Sequence, residues 1–306
     1  MVSTILLIGF NRPELLKRRI SEIAKNRPKN LHISIDGCSD KSLTKRIQSA
    51  VEESVEKYII DSKVQIKYQG TNLGLSKHIT CAVTKVLEEE DSVLVLEDDI
   101  RIGPNFLQNI IQAWKNNPNP SSIGTIGGFS SLPSNLPIRG NFWRHTKYFS
   151  AWGWSISSKN WEKYNRHLPQ VNIEKQLTDS PAWLSLSDYQ RATWLNRFRK
   201  VINNPDFTWD YQFQYMTFKE NFVNLLPLKR ICENEGFHDS RSSNTKSPRP
   251  LWMGKTGINE SAFTKNLNPH ISSLIEDYID SFTISGDSKA RSRLNQIRMR
   301  LGRNIG

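Results

Sequence analysis

An open, mostly parallel α/β sheet flanked by helices, with a helical extension at the C-terminal end, is the fold class this sequence predicts. Three observations lead there. Through the first third of the chain, short apolar runs of strand length alternate with segments that repeat apolar residues at helical spacing. Two of those runs end abruptly, residues 31–36 at Gly37 and residues 93–96 at Glu97, Asp98 and Asp99. The 306 residues, 37% of them hydrophobic, suffice for one large domain or two modest ones.

The elements follow in order. Residues 4–9 read as a buried strand, and Leu16, Ile20 and Ile23 stripe the helix behind it. Residues 31–36 form the next strand, then a charged helix is expected near 41–57 and a strand near 63–68. After the turn Gln69, Gly70, Thr71, Asn72 comes a helix whose Ile79, Val83 and Val86 face one way. Residues 93–96 are the strand that delivers the three carboxylates; Pro104 stands at a first helical position ahead of the stripe Leu107, Ile110, Ile111 and Trp114. From about 118 to 185 the chain turns loop-rich and aromatic, which suits either a carbohydrate or nucleoside surface or a second core layer. A long helix is expected near 187–203. Thr208 is placed to cap another, with Trp209, Phe213 and Met216 on its buried face. Residues 240–270 read as an irregular connection, followed by an amphipathic helix built on Ile271, Leu274, Ile275, Tyr278, Ile279 and Phe282.

The charge balance, 42 Lys and Arg against 30 Asp and Glu, gives +12 and raises the question of a polyanionic partner. Much of the excess sits at 287–306, where six basic residues flank Leu294, Ile297 and Leu301 at i, i+3, i+7. That pattern suits a basic helix on an anionic membrane surface, or a solvated terminal helix with a weak docking stripe. The apolar run at 5–10 is too short for a secretory signal or a membrane span, so a cytoplasmic protein is expected, peripheral at the inner membrane face if the tail engages lipid. Cys38, Cys81 and Cys232 are far apart and form no metal or disulfide pattern.

Chemistry concentrates at the predicted strand ends, where open α/β sheets bind ligands. Glu97, Asp98 and Asp99 lie at one end and Asp36 at another; hard oxygen donors without Cys or His pairs suit Mg2+ or Mn2+, and so a phosphorylated substrate. Arg12 follows the first strand at a helix start, suited to a base or phosphate. Lys77 and His78 open another helix after Gly74, placed toward a diphosphate or sugar. No Walker A run, GxGxxG or GxSxG elbow is present.

Taken in order, NRP after the first strand, IDG after the second, NLGLSKH at a helix start, LVLEDDI, AWGW and a WD before a helix resemble the GT-A glycosyltransferases. The pattern is most similar to the N-acetylglucosaminyltransferase I type and its bacterial relatives. The resemblance implies a Rossmann-like nucleotide-diphospho-sugar transferase fold, with residues 1–116 as the donor-binding half and 117–245 as the acceptor and catalytic-base half. Residues 246–306 would be linker, helix and basic tail. It further implies that Asp99 binds the metal, Asp98 faces ribose or metal waters, Glu97 the donor sugar, and Arg12 and Asp36 the uridine end. Asp210 would be the catalytic base, Trp152, Gly153 and Trp154 would shape the acceptor side, and His238 is a candidate for metal or diphosphate, or for holding its loop. The expected activity is inverting, Mn2+- or Mg2+-dependent transfer from a UDP-linked sugar to a glycan or lipid-linked glycan of a bacterial surface polysaccharide. A sugar nucleotidyltransferase is the rival enzyme, disfavoured by the missing early Gly-rich phosphate loop. A nucleic-acid binder is the rival non-enzyme, and it leaves the carboxylates facing a phosphate backbone they would repel.

Overall fold

The computed structural model describes residues 2–117, 120–130, 132, 140–237, 239, 241, 257–263, 265–266 and 275–276. The basic tail, most of the expected helix at 271–282, and His238 lie outside the described residues.

Strands β1 (Thr4–Gly9), β2 (Asn30–Ile35), β3 (Lys63–Tyr68) and β4 (Ser92–Glu97) alternate with helices α1 (Pro13–Asn26), α2 (Lys41–Tyr58) and α3 (Leu75–Leu87). The four strands run parallel, in register Gly9 to Ile35, Ile35 to Tyr68 and Ile8 to Glu97. Their C-terminal ends therefore meet along one edge. The apolar run of β1 is continuous because both faces are covered. Ile5 and Leu7 pack toward α1 and α2, whereas Leu6 and Ile8 pack toward α3. Leu94 and Leu96 of β4 join the first layer and Val93 and Val95 the second, the period of two that a strand imposes.

Beyond β4 come β5 (Ile100–Ile102), α4 (Phe106–Lys115), β6 (Ile123–Gly127), β7 (Phe142–Thr146), β8 (Trp154–Ser157), α5 (Ser158–Trp161) and α6 (Pro181–Leu184). Then follow α7 (Asp188–Asn203), α8 (Asp210–Lys219), β9 (Val223–Pro227), β10 (Cys232–Asn234) and β11 (Lys265–Asn266). Nine strands form one mixed sheet in the order β11-β7-β9-β6-β8-β4-β1-β2-β3, and β5 pairs with β10 in a separate ribbon. The stretch expected to be mainly loops thus supplies three strands of the main sheet. Among them, β8 runs antiparallel to β4 with Trp154 opposite Val95, so the chain entering β8 comes from the end of the sheet where the carboxylates lie.

Three local expectations change. Helix α4 starts at Phe106 with Asn105 as its N-cap, so Pro104 precedes the helix; the Phe106 amide bonds to the Gly103 carbonyl in a turn there. Trp209, not Thr208, stands at the N-cap position of α8 and provides no side-chain cap, while the Thr208 hydroxyl donates to the Asp210 carboxylate. That helix also has no single buried face: Phe213 and Met216 pack into the layer under α3, and Tyr215 and Phe218 into a third cluster with α6 and α7. A helix wedged between two cores is apolar on both sides, which blurs its periodicity. Among the described residues no helix is long and apolar enough to cross a membrane.

Candidate active site

At the meeting strand ends a cavity of about 410 Å3 is lined by Arg12, Asp36, His78, Glu97, Asp98, Asp99, Trp152 and Asp210, together with Asn72, Thr208, Asn234 and Arg241. Its size falls in the range of small-molecule sites. Eight of the residues singled out from the sequence converge here from β1, β2, α3, β4, the approach to β8 and α8. Lys77 does not: it points outward, exposed, while His78 on the next position turns in. Gly153 and Trp154 also lie outside the lining. Trp154 is buried in the core, 5.2 Å from Trp209 and 5.3 Å from Phe149 between ring centres. Of the aromatic stretch, Trp152 faces the cavity and Trp154 is core: a regular strand would point both to one face, but Gly153 between them, at φ +62, breaks the extended chain just before β8 begins.

Each lining group is held by identifiable contacts. Asp36 accepts hydrogen bonds from the amides of Gly37 (2.9 Å), Leu73 (2.8 Å) and Gly74 (3.1 Å), so its carboxylate ties the loop before α3 to the end of β2. Gly37 is required where it stands, since a Cβ would lie 2.2 Å from the Thr71 carbonyl carbon. Gly74 adopts φ +78, a left-handed turn that glycine takes without strain. His78 Nε2 lies 2.8 Å from Ser34 Oγ; burial pulls its pKa down against the pull of Asp36.

Arg12 holds the acidic triplet. It pairs with Asp98 and, at 3.1 Å, with Asp99 Oδ2, with all three side chains almost fully buried. Burial works against the guanidinium charge, but the two carboxylates outweigh it and raise its pKa. Even so, one arginine does not neutralise the site. Burial pushes Asp98 up to about 6 and raises Asp99, both against the opposing pull of Arg12. Glu97 is raised well above the carboxylate range by burial first, then by Asp99, Asp98, Arg12 in opposition, and Asp210. Asp210 is itself raised by burial, against the hydroxyl bond from Thr208. Four carboxylates with raised pKa values around one cavity mark a place that a cation would stabilise.

Whether the residues suit a divalent ion can be read from their atoms. Among the described residues no three His, Cys, Asp or Glu side chains form a metal cage. Mg2+ and Mn2+ seldom need one, taking one or two carboxylates and completing their shell with water and phosphate oxygens. Asp99 lines the cavity, and its Oδ1 is buried and has no hydrogen-bond partner. An orphaned carboxylate oxygen beside an under-neutralised pair fits such an ion.

The doubly covered, mostly parallel sheet with a cavity and acidic residues at its strand ends is a GT-A-like, Rossmann-type α/β fold. A family model described as "Glycosyl transferase family 2" matches residues 4–176, more than half of the chain, and the chain belongs to that family. Among solved structures it is similar to a mannosyltransferase from Pyrobaculum calidifontis in complex with GDP-Man and Mn2+, at 13% identity over 59% of this chain and 48% of that one, with a TM-score of 0.38. It is also similar to the glycosyltransferase GlyE of Streptococcus pneumoniae TIGR4, at 13% identity over 72% and 44%, TM-score 0.35. A third is 4-diphosphocytidyl-2C-methyl-D-erythritol synthase of Anaerococcus prevotii, at 12% identity over 57% and 80%, TM-score 0.32. The chain spans about half the length of the first two, and at these scores the likenesses are loose; the assignment rests on the family match. No curated protein matches the chain.

Asn72, Asn234 and Arg241 were not anticipated as cavity residues. Asn72 adjoins the NLG turn, which was a usable signal. Asn234 and Arg241 arrive only because β10 pairs with β5, directly behind the triplet.

Proposed function

We propose that this glycosyltransferase moves a hexose, of which GlcNAc is one candidate, from a UDP-linked donor to a glycan or lipid-linked glycan acceptor, with inversion and with a divalent cation. Its suggested setting is surface polysaccharide synthesis at the inner membrane face, with the basic tail as the lipid contact. The finer likeness to the N-acetylglucosaminyltransferase I type belongs to this reading, through the AWGW and WD motifs. One observation carries it: Asp210 and the triplet Glu97, Asp98, Asp99 face the same cavity, near enough for Asp210 to act on the ionisation of Glu97. Inverting transfer needs a base on one side of an anomeric carbon and compensation for a departing diphosphate on the other.

In this mechanism Asp210 accepts the proton of the acceptor hydroxyl as that oxygen bonds to the anomeric carbon. The bond from that carbon to the diphosphate breaks, and the nucleoside diphosphate leaves. The Thr208 hydroxyl bond favours the ionised form of Asp210, and the first turn of α8 adds the favourable end of its macrodipole. Asp99, with Asp98 beside it, would hold Mn2+ or Mg2+, which when bound supplies positive charge for the leaving diphosphate. Arg12 keeps those carboxylates in place, Asp36 shapes the loop toward the nucleoside, and Trp152 offers a flat apolar wall to the acceptor.

The test is calorimetric titration with UDP, GDP and CDP, with and without Mn2+, on the wild type and Asp99→Ala. Metal-dependent binding of UDP that vanishes in the variant is expected. Asp210→Asn should then bind nucleotide normally while transfer falls by about 10²- to 10⁴-fold. Binding of no nucleotide under any condition would sink the proposal.

A further inference from the structure

Two helical turns beyond Arg12, about 10 Å along the axis of α1, stands a second buried arginine that the mechanism does not use. Arg19 is 0% exposed and donates to Glu22 Oε2 at 2.5 Å and to Glu235 Oε2 at 2.9 Å. Both partners are tied to the ribbon behind the acidic triplet. Glu22 Oε2 also accepts the amide of Ile102, at the end of β5, at 3.0 Å. The amide of Glu235, directly after β10, donates to the carbonyl of Asp99 at 2.8 Å. Arg18 at 3.6 Å and Arg101 at 3.8 Å complete the shell around the Glu235 carboxylate.

We infer that Arg19, Glu22 and Glu235 form an ionic brace that positions the donor site from behind, setting the main chain of Asp99 and the strand that brings Asn234 into the cavity. The inference rests on the donor reading of that cavity. None of the three residues lines it, so the brace acts through others. Burying a guanidinium with two carboxylates contributes little net stability compared with apolar packing of the same volume, whereas it holds geometry through directional bonds. Here those bonds reach both strands of the ribbon and the residue proposed to carry the cation. Helix α1 thus grips the segment twice: Arg12 at its side chains, Arg19 through its backbone.

Arg19→Met removes the donor of the brace, Glu235→Gln removes the charge of one acceptor and so weakens it, and Arg19→Lys keeps the positive charge. Two quantities are measured on the full chain: Mn2+-dependent UDP affinity by calorimetry, and hydrogen exchange of the Glu235 amide. For Glu235→Gln, a folded protein with an unfolding temperature near wild type is expected. Its metal-dependent UDP affinity should be reduced about 10- to 100-fold, the range seen for residues that orient metal ligands, with Glu235 amide protection lost. Arg19→Lys should recover most of that affinity. Unchanged affinity and unchanged protection in Glu235→Gln would overturn the brace, as would losses in Arg19→Met that track global unfolding alone. A wild type that binds no nucleotide would overturn the donor reading instead, and amide protection lost in Glu235→Gln would still support the brace.

Discussion

Replacing Asp98 with Asn should make the protein more stable relative to wild type as pH rises from about 4.5 to about 7. Burial raises the Asp98 carboxyl to about 6 from 3.8, even with Arg12 pulling the other way. The folded state therefore binds this proton more tightly than the unfolded chain does. A raised acid contributes stability that is fully present below the unfolded pKa and lost as pH climbs through the folded one. The difference between 3.8 and about 6 amounts to about 3 kcal/mol at about 1.4 kcal/mol per tenfold, of which about 2 kcal/mol falls between about pH 4.5 and about pH 7. Asparagine does not titrate, so the variant escapes that loss, and the constant cost of leaving Arg12 with one partner cancels when the two pH values are compared. Urea unfolding of both proteins at both pH values, without divalent ions, reads the result directly. A stability gap that stays constant, or that moves against the variant, would mean that Arg12 outweighs burial and that the acidic triplet is already neutralised. In that case the argument for a cation at Asp99 fails with it.

Three further outcomes are expected. Thr208→Val removes the hydroxyl that donates to Asp210; its carboxyl rises further, and the acidic limb of the transfer rate against pH should move to higher pH, whereas an unmoved limb would detach Asp210 from base duty. Gly37→Ala forces the Thr71 backbone away from the end of β2, so nucleotide affinity should drop with the core left intact; wild-type affinity would show that the loop before α3 does not shape the site. Phe213→Ala opens the aromatic layer where Phe213 stacks on Phe149 at 4.1 Å, and should cost about 3–5 kcal/mol in urea unfolding; a cost below about 1 would show that layer to be loosely packed.

The sequence by itself determined the N-terminal, parallel part of this fold. Strands β1 to β4 and their helices are local patterns: short apolar runs or polar and apolar alternation of strand length, stripes at helical spacing, and turns marked by glycine. A buried parallel sheet aims the ends of its strands at one edge, so the placement of Arg12, Asp36 and the carboxylates at 97–99 followed from chain order alone. Tertiary structure decided what local pattern could not. Trp152 and Trp154 are indistinguishable in a run of aromatics until the antiparallel pairing of β8 with β4 sends one to the cavity and the other to the core. The two-sided burial of α8 hid its period and brought Asp210 opposite the triplet from a distant part of the chain. Arg241, Asn234 and the Arg19 brace depend on the pairing of β5 with β10, more than a hundred residues apart. Backbone conformation is set by neighbours in sequence, whereas the charges that meet around this cavity are set by neighbours in space.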